Sequence, residues 1–459
     1  MERFQAIFDA QKAYFSSGIT RNLEWRLRQL ELISRLVREN EAQLQRAVAD
    51  DFKTAPQEQV FETLSSIMSV ESHKKQLPSW MEPLEVPVPK ALAASGHRAL
   101  VYRDPYGVVL IIGPFNGPLT LLLRPAIEAV SAGNTCILKL SEKLDATSTL
   151  LLELIPKYFD PRVIAAVSGH REETAALLKL PFDFIFFTGS TATGKVVARA
   201  AAENLTPIIL ELGGQNPALV DCTANVADAA KKIIWGATAW GGQWCTSPGY
   251  ACVHEVIAEE FVAEAKKALL ELYGPDPKSN PDYSKIIDEA AVSRLVGLLD
   301  PAKVVAGGFA DPQARYLAPT ILYPVLWEDP VMAEEVFGPV LPVLVYKDLN
   351  EALSRIRALP HPLSAFVFSR DQKVVDRFVS ELSFGGGAVN QVNIHLFVGT
   401  MPFGGVGPAG MGHYYGKYGF DMLTHGKGIL ISPPDIALEH LFPPYTAKKV
   451  ADLKMWFDY

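Results

Sequence analysis

A cysteine among small residues is the most reactive candidate in this sequence. Cys245 stands in Trp-Gly-Gly-Gln-Trp-Cys-Thr-Ser-Pro, between a predicted helix and a predicted strand. An accessible thiolate is a strong nucleophile, and small neighbours let another molecule approach it. The alternative is a buried inert cysteine, which fits Cys136 in its apolar run. No metal site is expected, because Cys245 and Cys252 stand too far apart for a zinc knuckle and no histidine pair lies nearby.

Two polar side chains follow apolar runs and suit the chemistry of a nucleophile. Glu211 precedes Leu-Gly-Gly, and Asn116 stands in Pro-Phe-Asn-Gly-Pro. In α/β sheets the C-terminal ends of strands face the ligand crevice. A glutamate there can act as a general base, and an amide can donate to a developing oxyanion. Taken alone, each residue has a purely structural role as an equal alternative.

A glycine-bracketed loop, residues 189–194, follows an apolar run and opens a predicted helix. Free N–H groups and the dipole at a helix start favour a phosphate, so phosphate binding is favoured over a simple turn. Lys195 brings the segment close to a P-loop, but Val196 stands where a hydroxyl would bind Mg²⁺, which disfavours a nucleotide kinase. Lys139 and Glu142 end an earlier strand, where charged groups either meet a ribose or face solvent.

Short apolar runs alternating with helical patterns must position these residues. The alternation predicts parallel sheets covered by helices on both faces, and we expect two α/β lobes that meet near residues 211–245. Residues 21–50 predict one amphipathic helix, and residues 226–240 predict another. The predicted strands are residues 107–112, 135–140, 163–167, 182–187, 207–211, 250–253, 321–325, 340–346 and 365–368.

Composition excludes several classes of protein. Of 459 residues, 49% are apolar and 20% charged, which is typical of a globular chain rather than a disordered one. The net charge of −8 disfavours nucleic acid as a partner. Four cysteines are too few for a disulfide framework, so we expect a reducing compartment. The N-terminus lacks a signal-peptide pattern, and prolines break the most apolar stretch, residues 107–123; we therefore expect a cytoplasmic protein without a transmembrane segment.

A set of short motifs, in this order and spacing, resembles the aldehyde dehydrogenase superfamily over residues 20–428. The last of the motifs and the short N-terminus are similar to the class 3 branch, which acts on fatty and aromatic aldehydes. The motifs are Pro-Phe-Asn-Gly-Pro (114–118), Lys-Leu-Ser-Glu (139–142), Phe-Thr-Gly-Ser-Thr (187–191), Glu-Leu-Gly-Gly (211–214), Gly-Gln-Trp-Cys (242–245), Glu-Glu-Val-Phe-Gly-Pro (334–339) and Pro-Phe-Gly-Gly-Val-Gly (402–407).

The resemblance implies a role for each motif. Cys245 would attack the aldehyde carbon, Asn116 and the Cys245 N–H would hold the oxyanion, and Glu211 would activate the water that hydrolyses the thioester. The cofactor would be NAD or NADP. Its adenosine ribose would contact Lys139 and Glu142. The other residues expected at the cofactor are Gly189, Ser190, Thr191, Gly194, Leu212, Glu335 on the nicotinamide ribose and Phe337 beside it.

The sequence departs from the family pattern around the expected substrate. Gly117 stands where class 3 members often carry a bulky aromatic residue, and Trp244 is unusually large beside the nucleophile. We predict a pocket widened at Gly117, reshaped by Trp244 and also lined by Thr246 and Phe403, for a bulky aromatic or medium- to long-chain apolar aldehyde. A Trp244 that points into the core is an equal alternative. Gln215 replaces a frequent lysine.

The resemblance also implies an α/β fold of two Rossmann-like parallel-sheet domains with a small β bridging element, in a homodimer. We expect an NAD(P)-binding domain at 1–83 and 101–211, a catalytic domain at 212–393, a bridging element at 84–100 and 394–430, and a tail at 431–459. Rival functions are a CoA-acylating aldehyde dehydrogenase, which Glu211 disfavours, and a catalytically silent binding or structural member.

The C-terminal tail has apolar residues at helical spacing, flanked by lysines. Val450, Leu453, Trp456 and Phe457 form this pattern, which is also typical of a helix that lies on a membrane surface. A tail docked on its own protein or on a partner subunit is the favoured interpretation.

Overall fold

The computed structural model describes residues 2–456. One sheet has six strands, and five of them run parallel as expected from the apolar runs. The short edge strand Gly410–Met411 pairs antiparallel with the strand that ends at Glu211. In spatial order the strands are Gly410–Met411, Ile208–Glu211, Phe184–Thr188, Val108–Ile112, Thr135–Lys139 and Ile164–Val167.

A second sheet has seven strands and is parallel except for its first strand. Its central strands are fully buried, because helices cover both faces, and most of the side chains inside are apolar. In spatial order the strands are Val304–Ala306, Thr320–Val325, Val340–Tyr346, Pro248–His254, Asn216–Val220, Ser364–Phe368 and Gly386–Val389. The two sheets confirm the predicted α/β class with Rossmann-like parallel sheets.

A smaller antiparallel sheet joins distant parts of the chain, with strands Leu84–Val86, Arg98–Pro105 and Thr424–Ile431. Its last strand is exposed along most of its length. A two-stranded ribbon pairs Ala310–Asp311 with Tyr316–Leu317. The predicted domain boundaries stay a prediction.

Helices cover the sheets, and helices also form the first and last described segments of the chain. The α-helices are Glu2–Ser16, Leu23–Glu39, Glu41–Asp51, Pro56–Trp80, Lys90–Ala94, Thr120–Ala132, Asp145–Tyr158, Arg171–Leu177, Thr191–Glu203, Val226–Thr238, Ala258–Tyr273, Glu289–Gly297, Leu349–Ala358, Gln372–Glu381, Lys417–Met422 and Ala447–Trp456.

Two predicted helices differ from the structure. The pattern over residues 21–50 forms two helices, because Asn40 interrupts it; its side chain donates to the Leu36 carbonyl oxygen and to the Tyr158 hydroxyl, both at 2.8 Å. The helix that starts at Val226 ends at Thr238 rather than at residue 240, since the residues that follow turn into the left-handed region.

The tail contains the helix Ala447–Trp456, and Val450 on it is exposed. Phe457, which belongs to the predicted apolar pattern of the tail, lies outside the described residues. Among the helices described between residues 2 and 456, none is long and apolar enough to cross a membrane.

Candidate active site

The segment that leads to Cys245 makes an unusual turn. Trp240, Gly241 and Gly242 have φ values of 58°, 61° and 68°, all in the left-handed region. Glycine adopts this conformation without cost, but a tryptophan does so only when its surroundings hold it. At Gly242 a Cβ would lie 2.1 Å from the carbonyl carbon of Gly338, so the backbones of two motifs touch here. The turn therefore requires both the glycines and a fixed Trp240.

A buried network from the helix Pro56–Trp80 holds Trp240. The Glu58 carboxylate accepts the Trp240 N–H at 2.7 Å and the Ser284 hydroxyl at 2.7 Å. The Lys53 ammonium lies 3.8 Å from the centre of the Trp240 ring and pairs with Glu62, both side chains being fully buried. Burial raises the pKa of Glu58 to about 7. These contacts stabilise the left-handed turn from residues about 180 positions earlier in the chain.

Cys245 is partly exposed at the end of this turn. Burial and the nearby carboxyl groups of Glu211 and Glu335 raise the pKa of its thiol, while the N–H groups of Cys245 and Thr246 lower it. The structure therefore brings the predicted nucleophile and the predicted base into one electrostatic neighbourhood. In this arrangement burial and the two carboxyl groups favour the uncharged thiol over the thiolate.

Glu211 ends the buried strand Ile208–Glu211 and is 3% exposed. Neither of its carboxyl oxygens has a hydrogen-bond partner among the described residues. Burial alone raises the pKa of Glu211 well above its usual range. Orphaned carboxyl oxygens inside a protein are costly unless a ligand or water completes them, so this group is typical of a functional site rather than of packing.

Asn116 lies on the turn after strand Val108–Ile112 and is 4% exposed. The turn runs into the helix Thr120–Ala132, and the Glu62 carboxylate accepts the N–H groups of Leu119 and Thr120 at 3.1 and 2.9 Å. A carboxylate at a helix start satisfies free donors and suits the helix dipole. The buried network that holds Trp240 thus also fixes the Asn116 turn.

The glycine loop opens the helix Thr191–Glu203 as predicted. Ser190 caps the helix, accepting the Thr193 N–H at 3.3 Å, and the Thr191 hydroxyl donates to the Pro408 carbonyl oxygen at 3.0 Å. A Cβ at Gly194 would lie 2.7 Å from Leu212, so the helix start packs closely on the segment after Glu211. A Cβ at Gly189 would lie 2.6 Å from the Phe187 ring. The exposed helix start and its small residues fit a phosphate-bearing group.

The other predicted cofactor residues fall into two places. Lys139 is buried at the end of its strand and its ammonium donates to the Glu142 carboxylate at 2.6 Å. Glu335 lies against the glycines after Glu211: a Cβ at Gly213 would lie 2.0 Å from its carboxyl oxygen. Burial raises the pKa of Glu335 to about 7, and the Gly214 N–H partly offsets this.

Phe337 has a φ of 46°, and its ring packs edge-to-face on Phe115 with centroids 5.9 Å apart. Phe115 also contacts Phe52 at 5.8 Å. A bulky residue in the left-handed region is rare, and the ring contacts hold it there. Through Phe337, this aromatic group adjoins the segment that carries Glu335.

Trp244 is buried in an aromatic cluster and is 5% exposed. Its ring lies 4.0 Å from Trp240, 6.0 Å from Trp235 and 6.4 Å from Phe61, measured between centroids. Phe61 in turn contacts the half-exposed Phe397 at 5.2 Å. Trp244 therefore belongs to the core, and aromatic rings extend from it to the protein surface.

The remaining predicted substrate residues have mixed surroundings. A Cβ at Gly117 would lie 2.6 Å from Cγ of Leu121, so the leucine takes the space that the glycine leaves. Thr246 is fully buried, and its hydroxyl has no hydrogen-bond partner in the described part of the chain. Phe403 is buried and stacks on Tyr415 at 5.2 Å.

Sequence reasoning assigned no role to three polar residues that support the site, although Gln243 stands within the Gly-Gln-Trp-Cys motif. Glu58 holds Trp240, as described above. Gln243 donates to the carbonyl oxygens of Trp240 and Lys285 at 3.0 Å each. Asn216 donates to the carbonyl oxygen of Cys245 at 2.8 Å. The available signal for Asn216 was its position: it is a polar residue at the start of an otherwise apolar strand.

Within residues 2–456, no group of three or more histidine, cysteine, aspartate or glutamate side chains is arranged to hold a metal ion.

Comparison with known proteins decides the family. The family model described as the aldehyde dehydrogenase family matches residues 2–429. The chain belongs to this family. Aldehyde dehydrogenases oxidise aldehydes with NAD or NADP, so this chain is an NAD(P)-dependent aldehyde dehydrogenase. The orphaned Glu211 carboxyl and the helix start at Ser190 fit that cofactor and substrate chemistry.

Individual aldehyde dehydrogenases match over nearly the whole chain. A 4,4'-diaponeurosporen-aldehyde dehydrogenase of Staphylococcus aureus is 39% identical over 97% of both chains. A dimeric NADP-preferring aldehyde dehydrogenase of Rattus norvegicus is 40% identical over 95% of this chain and 96% of its own. A solved structure of a Staphylococcus aureus AldH in a substrate-bound state has 38% identity and a TM-score of 0.96, covering 99% of both chains. Mammalian proteins named as family 3 members match as well, which confirms the class 3 resemblance.

Proposed function

We propose that this aldehyde dehydrogenase forms a covalent thioester on Cys245 and releases a carboxylic acid. The deprotonated Cys245 sulfur bonds to the aldehyde carbon and gives a thiohemiacetal. The Asn116 amide and the Cys245 N–H donate to its oxyanion, which stabilises charge where it develops. NAD or NADP, when bound, would supply the oxidation by accepting the hydride that leaves this carbon. Glu211 then takes a proton from water, which attacks the thioester and frees the thiol.

Different residues would bind different parts of the cofactor. The start of the helix Thr191–Glu203 would face the phosphates, Lys139 and Glu142 the adenosine ribose, and Glu335 the nicotinamide ribose. The exposed Ser190 cap and the compact Gly194–Leu212 contact support this placement.

The observation that carries the proposal is the Glu211 carboxyl, buried without a hydrogen-bond partner and close enough to Cys245 to raise the pKa of its thiol. A general base must combine a raised pKa with proximity to the reacting group.

A single-turnover experiment tests the proposed roles of Cys245 and Glu211. Cys245→Ser is expected to abolish NAD(P)H formation. Glu211→Gln is expected to give one NAD(P)H per protein and then stop, with the acyl group visible on Cys245 by intact-protein mass spectrometry. Full steady-state activity in either variant refutes the mechanism.

The two rival functions predict different outcomes of the same assay. A CoA-acylating enzyme would release an acyl-CoA and speed up when CoA is added, whereas we expect the free acid at a rate that CoA does not change. A silent binding member would form no NAD(P)H with any aldehyde.

We propose that the substrate is a bulky apolar or aromatic aldehyde. Packed aromatic rings extend from the half-exposed Phe397 through Phe61 to Trp244, the neighbour of the nucleophile, and make this region apolar. A related enzyme is named 4,4'-diaponeurosporen-aldehyde dehydrogenase. The relevant measurement is kcat/KM over acetaldehyde, hexanal, benzaldehyde and a polyene aldehyde; a preference for acetaldehyde refutes the proposed class.

We also propose a homodimer in a reducing, cytoplasmic environment. The exposed strand Thr424–Ile431 offers an unpaired edge with apolar side chains at Ile429, Leu430 and Ile431, and a related enzyme is named dimeric. A free catalytic thiolate needs reducing conditions. Whether the tail rests on a membrane or on the partner is tested by vesicle flotation with and without residues 431–459.

A further inference from the structure

Asn216 ties the nucleophile segment to two neighbouring strands. Its side chain is 1% exposed. Its amide nitrogen donates to the carbonyl oxygens of Cys245 and Ser247, both at 2.8 Å. Its amide oxygen accepts the Ser364 N–H at 2.8 Å. The carboxamide therefore uses both hydrogens and its oxygen to join three separate segments of the chain.

The strand after Cys245 begins at Pro248, which has no N–H to donate to a neighbouring strand. The pairing between this strand and the strand from Asn216 is also irregular at its first residues. The carboxamide supplies hydrogen bonds that the backbone ladder does not provide at this point, on both sides of Thr246.

The geometry of the peptide bond explains how Asn216 can affect the groups around the thiol. The Cys245 carbonyl and the Thr246 N–H belong to one planar peptide unit and point in opposite directions. With the carbonyl held by Asn216, the N–H on the other side of the peptide unit keeps its orientation, and the Thr246 N–H lowers the pKa of the Cys245 thiol. If the carbonyl were free, this peptide unit would be able to rotate.

We propose that Asn216 is a positioning residue for the nucleophile: by holding the Cys245 carbonyl it directs the Thr246 N–H at the sulfur and fixes the sulfur for attack. The inference rests on the proposed covalent role of Cys245. Misplacement of a reacting group by about 1 Å can cost about 10²-fold in rate, so loss of these hydrogen bonds should lower kcat by about that factor.

The chain offers a matched control in Asn134, which is also fully buried. Its amide oxygen accepts the Gly107 N–H at 2.9 Å, and its nitrogen donates to the carbonyl oxygens of Ala129 and Leu423 at 3.3 and 2.9 Å. It thus makes the same number of bonds of the same kinds, but none of them reaches the proposed site. Asn134 variants report the purely structural cost of losing such a residue.

The experiment compares Asn216→Ser with Asn134→Ser in the full-length protein. For each we measure kcat, the KM for the aldehyde and cofactor, and the pH dependence of iodoacetamide alkylation at Cys245, read on its peptide by mass spectrometry. We expect Asn216→Ser to lower kcat by about 10²-fold, to leave the cofactor KM within about twofold, and to move the alkylation midpoint to higher pH. We expect Asn134→Ser to change none of these.

Equal effects of the two variants on kcat, or an unchanged alkylation midpoint in Asn216→Ser, overturn the proposal. Asn216→Asp keeps the side-chain volume. If the serine variant does not fold, the kcat of Asn216→Asp is measured in its place. The alkylation profile needs no turnover. It therefore still tests Asn216 if Cys245→Ser proves active and the covalent mechanism fails.

Discussion

Replacing Glu58 by glutamine should remove a pH-dependent loss of stability. Below its folded pKa of about 7, Glu58 is neutral beside the Lys53–Glu62 ion pair. Its unfolded pKa is near 4.5, so the folded state binds the extra proton between these values. The stability that this proton binding contributes is fully present below about pH 4.5 and is lost as pH rises through about 7.

The size of this loss follows from the pKa difference. Each pKa unit corresponds to about 1.4 kcal/mol, so the difference between 4.5 and about 7 gives a loss on the order of 3 kcal/mol. Glutamine can accept the Trp240 N–H with its oxygen and still bond to the Ser284 hydroxyl with its nitrogen. Glu58→Gln should therefore keep the structure and gain stability relative to the wild type as pH rises.

The assay is urea denaturation at several pH values from about 5 to about 8, followed by tryptophan fluorescence. The control is Glu71→Gln on the same helix, whose side chain is half exposed and should give a curve parallel to the wild type. If the Glu58→Gln curve also runs parallel to the wild type, Glu58 is charged in the folded protein and the reasoning is wrong.

Three further predictions concern buried charge, glycine and cofactor choice. Lys53→Met should lower the free energy of unfolding by about 3–5 kcal/mol, because Glu62 stays buried without its cation; a Lys53→Met/Glu62→Gln double variant should recover part of this in urea denaturation. Gly242→Ala should cost about 3 kcal/mol or more by the same assay, whereas Gly297→Ala, with open space around it, should stabilise its helix by about 0.5–1 kcal/mol. Glu142→Gln should lower the KM for NADP about fivefold relative to NAD, and an unchanged ratio counts against the ribose placement.

The strands of both sheets were predictable because parallel strands buried on both faces are continuous apolar runs. The run over residues 107–112, for example, became the strand Val108–Ile112. Cys245, Glu211 and Asn116 are predicted from motifs, since the proposed chemistry requires those residue types between small neighbours. What the motifs do not contain is the support around them.

The residues that hold the site in place do so through contacts between distant parts of the chain. The periodicity of apolar residues in the sequence does not reveal such contacts. Trp240 is held in a left-handed conformation by distant contacts, among them Glu58, 182 residues earlier, which accepts its N–H. Asn216 reaches the Cys245 carbonyl across 29 residues. Trp244 was predicted equally well in the pocket or in the core, and only the rings of Trp235 and Trp240 place it in the core.

The edge strand Gly410–Met411 has a consequence for biosynthesis. It is the outer neighbour of the strand that ends at Glu211, so the two pair across about 200 residues of intervening chain. A nascent chain that has not yet reached residue 410 would leave the strand that ends at Glu211 as an open edge, available to other chains. Closure of the first sheet therefore waits for synthesis of Gly410 and Met411, and chains truncated before residue 410 should aggregate rather than persist as inactive monomers.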